Sequence, residues 1–281
     1  MKKFFISFAD TSLTPSLKRI EEQAYQMQIF DKILIYNEKR VPKFIKNRIK
    51  YVIKQTGSKR GYGYWCWKPA LINFILKNEM SNGDLLLYCD AGCDLNPKNR
   101  EKLIEYFELT RKNDILVSQF ENGKYCDFYW SKADSIKLFE DKISKVKLEQ
   151  GQIQGGILFL VANQYTRMII NSWESLLSES NVHYFDDSSS ILPNHTGFLE
   201  HRHDQSILSL LLKSEHYYSL SVEQHFGTAD ANQDKREWLK ANEPIVSFGN
   251  KIKKKRFTQT EFFLCLRYPR YLLGKIKRLF K

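Results

Sequence analysis

"LLLYCDAGCDLNP" (residues 85–97) joins an unbroken apolar run to a cluster of small and acidic residues. Leu85, Leu86, Leu87 and Tyr88 lack the polar alternation of a half-buried strand, so they predict a strand covered on both faces. Asp90 follows directly after Cys89, with Gly92 and Asp94 next in alternation. A carboxylate at the carboxyl end of a buried strand stands where α/β sheets bind their ligands. Gly92 leaves room for the backbone to approach such a ligand closely. The competing reading is local: Asp90 caps the next turn, with "NPKN" opening a helix over 98–111.

Working outward, further strand-like runs lie at 3–9, 32–36, 51–55, 114–120, 155–162 and 217–222, with the central one at 84–90. Helix-like stretches fall between them at 15–29, 69–79, 98–111, 131–145, 164–178 and 203–213. Strands alternating with helical segments predict an α/β fold with a largely parallel central sheet and helices on both faces. Segment 179–203 has no periodicity and is rich in Ser, Asp, Asn and His, which predicts a long functional or mobile loop.

Among 281 residues, 42% are hydrophobic and 14% aromatic, enough for a sizeable core. No stretch approaches the ~20 apolar residues of a membrane span. "MKKFFISFADTSLT" has no small-residue cleavage site and reads as a first strand rather than a signal peptide. Cys66, Cys89, Cys93, Cys126 and Cys265 are scattered singly with no CxxC pair, the pattern of reduced thiols in a cytoplasmic protein. The net charge of +12 is uneven: residues 251–281 carry 11 Lys and Arg against one Glu, leaving 33 against 31 elsewhere. The expected organisation is therefore one α/β unit over 1–250 and a basic tail over 251–281.

Four segments carry candidate chemistry. In "SKRGYGYWCWKPALI" (58–72), aromatic rings beside cations suit a planar base or a sugar, and Lys59, Arg60 and Lys68 suit phosphate. The alternative there is a packed turn into helix 69–79, with Pro69 at its first position. Gly155 and Gly156 open a buried strand and mark close approach, by a ligand or by another part of the chain. "FLEHRHDQSILSLLL" (198–212) sets His201, His203 and Asp204 before an apolar helix, where Asp204 is either a cap or a catalytic carboxylate. His225 lies in a late "HFG" segment. No GxGxxG follows the first strand and neither GxxxxGK[ST] nor GxSxG occurs, which disfavours a dinucleotide-binding Rossmann domain, a P-loop NTPase and a serine hydrolase.

"RGYGYWCWKP" (60–69), "GDLLLYCDAGC" (83–93), "QIQGGILF" (152–159) and "EHRHDQSILSLL" (200–211) together resemble a family of bacterial glycosyltransferases with the GT-A fold. Its members act in surface polysaccharide and lipopolysaccharide synthesis, capsule included. The resemblance covers most of residues 3–227. It implies a transferase, expectedly a hexosyltransferase, moving sugar from a nucleotide donor such as a UDP-sugar to a glycan or lipid-linked acceptor. In such enzymes a D-x-D motif at a strand end binds a divalent cation, Mn²⁺ or Mg²⁺, on the donor diphosphate. Here Asp90 matches the first carboxylate, Gly92 replaces the second, and Asp94 stands nearby to substitute. His225 matches the late His-Phe segment that supplies a third ligand, so Asp90, Asp94 and His225 are the implied metal set. "HDQ" (203–205) is similar to a segment near donor sugar and acceptor, which marks Asp204 and His203 as catalytic candidates. The donor-binding candidates are Phe8, Ala9, Lys59, Arg60, Tyr64, Trp65, Lys68, Asp90, Ala91, Gly92, Gly155 and Gly156.

Lysines mixed with Phe, Leu and Tyr in the tail suit an anionic bilayer, so the expected location is the inner face of the cytoplasmic membrane. Two rival functions use the same features. A nucleic-acid binder would use the tail and the clustered aromatics, but the nearly neutral body argues against nucleic acid as partner. A GT-A domain that binds nucleotide sugar without transferring it would account for the missing second aspartate.

Overall fold

The computed structural model of the chain describes residues 1–121, 123–226 and 243–246. Eight strands occur among them: β1 (Lys3–Phe8), β2 (Lys32–Tyr36), β3 (Leu85–Cys89), β4 (Asp94–Leu95), β5 (Ile115–Gln119), β6 (Ile153–Val161), β7 (Tyr218–Ser221) and β8 (Ile245–Val246). The helices are α1 (Thr14–Met27), α2 (Lys43–Thr56), α3 (Gly61–Tyr64), α4 (Trp67–Asn78), α5 (Arg100–Asn113), α6 (Asp127–Trp130), α7 (Ala133–Lys137), α8 (Lys145–Glu149), α9 (Gln164–Leu176), α10 (Asp204–Lys213) and α11 (Val222–His225).

Six strands form one sheet in the order β2-β1-β3-β6-β5-β7, and β4 pairs separately with β8. β1 runs parallel to β2 and β3, β7 runs parallel to β5, and only β6 opposes its neighbours. The α/β class with a mostly parallel sheet is therefore the one the alternating segments predict.

Pairing register explains the two-faced burial. Phe5, Leu87, Phe159 and Leu116 align across four strands and enter one core, which α1 and α5 cover. Their chain neighbours Phe4, Leu86, Leu160 and Ile115 form the matching row on the opposite face, under α2, α4, α9 and α10. A strand whose two side-chain rows both face helices has no polar row to show, hence the unbroken run at 85–88.

Two expected elements are corrected. Residues 51–55 are not a strand but the end of α2, whose Ile45, Ile49 and Val52 repeat at helical spacing on a buried face and whose end is closed by Gly57 at φ 67°. The helix expected over 131–145 is limited to α7, followed by turns before α8. Among the described residues no helix is long and apolar enough to cross a membrane. The tail over 251–281 lies outside the described residues.

The single reversed strand decides where the site forms. β6 begins at the edge where β1 and β3 end, so Gly155 and Gly156 arrive beside Asp90, opposite a break in the β5–β6 register. The Asp90 amide donates to the Gly156 carbonyl at 2.8 Å, extending the β3–β6 ladder by one bond.

Candidate active site

A cleft of about 520 Å³ opens at this edge. Phe8 and Ala9 from the end of β1, Lys59, Arg60 and Trp65 from the turn before α4, and Asp90, Ala91 and Gly92 beyond β3 all line it. Eight of the donor-binding candidates thus share one cavity. Asp10, Ser12, Leu13, Gly61, Tyr62 and Trp67 complete the wall.

The aromatic side of the cleft rests on an unusual backbone. From Gly61 through Trp65, five consecutive residues have positive φ, Tyr62, Tyr64 and Trp65 among them. Left-handed backbone costs roughly 1–2 kcal/mol for each residue that carries a Cβ. Glycine at 61 and 63 relieves two of the five positions, and at 61 a Cβ would collide with the Trp65 ring at 2.2 Å. The two glycines are therefore a requirement of this turn, while Tyr62, Tyr64 and Trp65 bear its cost. Trp67 braces it by donating Nε1–H to the Gly61 carbonyl at 3.1 Å and packs on Phe8 with ring centres 4.0 Å apart. Trp67 is buried and Trp65 half-buried, and both line the cleft. Pro69 sits in the first turn of α4, two residues after its start, where its missing N–H has no intrahelical acceptor to lose.

Beneath the cleft lies a charged triad. Lys68 is buried, and its Nζ reaches Asp204 Oδ2 at 2.6 Å, Asp90 Oδ1 at 3.2 Å and the Gly155 carbonyl at 2.9 Å. Burial alone would lower the Lys68 pKa, but Asp204 and then Asp90 outweigh it and hold the ammonium protonated. Burial raises Asp204 to about 6, against the pull of Lys68. Tyr88 Oη donates to Asp90 Oδ1 at 2.5 Å. Asp90 is the one carboxylate of the triad that also lines the cleft.

Both glycines of β6 make this convergence possible. A Cβ on Gly155 would stand 3.2 Å from Asp204 Oδ2, and one on Gly156 would stand 3.3 Å from Asp90 Oδ2. Neither aspartate is a cap. Asn96 caps the short helical turn at Pro97–Asn99, and α10 starts after His203 without a side-chain cap.

His203 adopts φ 55° and ψ −122°, stacks on Trp65 at 5.5 Å and shares Nδ1 with the Phe185 carbonyl at 3.0 Å. Burial, then the Arg60 charge, lowers its pKa to about 4, so it is neutral at physiological pH. Asp187 ties the rim together, accepting from Arg60 at 3.0 Å and from Tyr64 Oη at 3.0 Å. Behind α10, Gln205 donates to Gln152 at 2.7 Å and accepts from the Gly155 amide at 3.1 Å. Gln152 in turn bonds Asp127, which pairs with the fully buried Lys213 at 2.6 Å. Sequence reading passed over Asp187, Gln152, Gln205, Asp127 and Lys213. Lys213 left no signal, since a cation in the last turn of a helix is ordinary and only its burial in the structure calls for a partner.

The implied metal set does not assemble. Asp94 is buried against Arg19 at 2.8 Å and Gln23 at 2.9 Å. Arg19 also donates to the Ala91 and Cys93 carbonyls, so Asp94 anchors the turn after Asp90 from below. His225 Nδ1 lies 3.2 Å from Tyr106 Oη, and that hydroxyl donates to Glu243 at 3.1 Å. Among the described residues no three His, Cys, Asp or Glu side chains gather in a way that could hold a metal ion. Lys68 occupies the space between Asp90 and Asp204, so these residues do not fit a divalent cation.

No protein-family model matches the chain, and no curated protein is similar to it in sequence. Among solved structures, the galactosyltransferase LgtC with donor and acceptor sugar analogues is 12% identical, covering 95% of this chain and 94% of that one at a TM-score of 0.48. Mouse xyloside xylosyltransferase 1 is 11% identical, with 90% and 99% covered at 0.46. The 4-diphosphocytidyl-2C-methyl-D-erythritol synthase of Anaerococcus prevotii is 12% identical, with 96% of each chain covered at 0.37. These are likenesses of overall shape; the chemistry rests on the side chains of this chain.

Proposed function

We propose that this protein is a glycosyltransferase that takes a nucleotide-diphosphate sugar, expectedly UDP-linked, and passes the sugar to a glycan or lipid-linked acceptor. The observation that supports the reading is an aromatic wall, two cations and the carboxylates of Asp10 and Asp90 around a single cleft at the sheet's carboxyl edge, of which Asp90 alone is tied to the buried ammonium. Phe8, Tyr62 and Trp65 offer faces for a planar base, while Lys59 and Arg60 offer charge for the diphosphate.

Transfer breaks the bond from the sugar carbon to phosphate oxygen, and the electron pair leaves with the diphosphate. The acceptor oxygen supplies the pair for the new bond, and its proton passes to the departing diphosphate oxygen. Positive charge therefore grows at the sugar carbon while negative charge grows on the phosphate, and preorganised groups of opposite sign stabilise both. Asp90 is suited to face the sugar, and Lys59 and Arg60 to face the phosphates. Asp204 is buried behind Lys68, so its part in this scheme is to hold that ammonium and, through it, the orientation of Asp90. His203 is a positioning residue that stacks on Trp65. The basic tail over 251–281 supports a membrane-bound acceptor at the inner face of the membrane.

Thermal unfolding against a panel of nucleotide sugars tests the reading. Saturation at about 100 times the dissociation constant stabilises by about 2.7 kcal/mol. Stabilisation by one nucleotide class, followed by product on an acceptor panel, is expected. Stabilisation without any transfer would favour the binding-only domain, and no response from folded protein would refute the donor site.

A further inference from the structure

Resting on the donor-site reading, we infer that the Lys68 ammonium permanently fills the position of a divalent cation, so that donor binding needs none. Three observations converge on this. Asp90 Oδ1 already accepts from Tyr88 Oη at 2.5 Å and faces Lys68 Nζ at 3.2 Å, which uses the oxygen that a cation would take. Its other oxygen lies on the Gly156 side, where an added methyl group would come within 3.3 Å, and is the one the side chain can present to the cleft. Asp204, the other carboxylate at this ammonium, is committed to it at 2.6 Å.

The ammonium has no route out. Its third contact is the Gly155 carbonyl at 2.9 Å, the residue is buried, and the Tyr88 ring lies 5.4 Å away on another side. A divalent ion entering between the carboxylates would meet a fixed positive charge at bonding distance from both. Asp94 cannot be recruited without breaking its buried pair with Arg19, which also holds the Ala91 and Cys93 carbonyls. Charge for the diphosphate comes instead from Lys59 and Arg60, which line the cleft. An ion that a metal-dependent enzyme must capture from solution is here encoded in the chain.

The arrangement has a converse that can be measured. Two carboxylate oxygens that both reach one nitrogen can both reach one cation, and hard divalent ions take carboxylate oxygen. Removing the Lys68 side chain should turn a site that rejects Mn²⁺ into one that takes it.

The experiment follows free Mn²⁺ by electron paramagnetic resonance as it is titrated into metal-stripped full-length protein. Wild type should leave the free-ion signal undiminished, Lys68→Ala should remove one equivalent, and Lys68→Ala with Asp204→Asn should lose that uptake. In parallel, calorimetry of UDP binding to wild type in EDTA and in Mn²⁺ should give the same affinity within about threefold, less than the half-decade of affinity that 0.7 kcal/mol represents. Uptake of Mn²⁺ by wild type that disappears in Asp90→Asn overturns the inference, whether or not the Lys68 variant folds. So does UDP affinity at least about tenfold higher in Mn²⁺. UDP binding in neither buffer refutes the donor reading instead, and the manganese titration alone then decides whether Lys68 fills the cation position.

Discussion

Replacing Asp204 by Asn asks which of two opposed forces governs the buried triad. Desolvation disfavours the Asp204 carboxylate, the ammonium at 2.6 Å favours it, and desolvation wins by enough to place the pKa at about 6. An unfolded aspartate titrates near 3.9, so between those values the folded chain holds a proton that the unfolded chain has released. The group's contribution to stability is therefore complete below about pH 4 and is lost as pH rises through about 6. Taking folded and unfolded values of about 6 and 3.9, acidification from about pH 7 to about pH 5 should stabilise wild type relative to Asp204→Asn by on the order of 1 kcal/mol. Urea unfolding of the two proteins across that range measures the difference directly. His201 and His203, both held low by burial, destabilise the fold on acidification, but they are present in both proteins and largely cancel. A difference that stays flat between those pH values would mean that the pair with Lys68 cancels desolvation. A difference that grows with rising pH would reverse the sign and refute the account of the triad.

Asp90→Asn should lower turnover by more than about tenfold with the fold intact, because it removes charge where positive charge develops; circular dichroism beside steady-state rates separates the two effects. Gly156→Ala should cost about tenfold in turnover at nearly unchanged nucleotide affinity, since Asp90 is braced by Tyr88 and Lys68 and can yield to the new methyl only by losing its aim. Lys213→Met should destabilise the fold by about 3–5 kcal/mol by leaving Asp127 buried and unpaired, and adding Asp127→Asn should recover more than about half of that loss in urea unfolding.

The sheet was readable because its signals are local. β3 betrays itself by an unbroken apolar run, and Asp90, the first polar side chain after it, needed no tertiary knowledge to be singled out. Residues 51–55 misled because a five-residue window of "YVIKQ" shows β-branched residues but is too short to reveal the spacing of Ile45, Ile49 and Val52. The cleft's lining was legible as composition, in aromatics and cations crowded into 58–68. The direction of its side chains was not. Lys68 looked like a phosphate ligand on the rim, yet it points inward because Asp204, 136 residues later, waits under the floor. The metal set failed for the same reason: Asp94 stands close enough in sequence to substitute for the carboxylate missing at Gly92, but Arg19 from α1 claims it. Long-range partners of this kind leave no trace in spacing.

The reversal of β6 has a consequence for motion. Because the strand begins where its neighbours end, the floor under Asp90 belongs to the hydrogen-bonded ladder rather than to a loop. The Asp90 amide is held by the Gly156 carbonyl and exchanges with solvent only when that strand pairing opens, whereas residues 186–200 on the rim lie outside regular helix and strand. Hydrogen exchange should thus find the Asp90 and Gly156 segments among the slowest in the chain and the rim among the fastest. A substrate entering this protein meets a surface that does not yield beneath it, and whatever fitting occurs must be done by the walls.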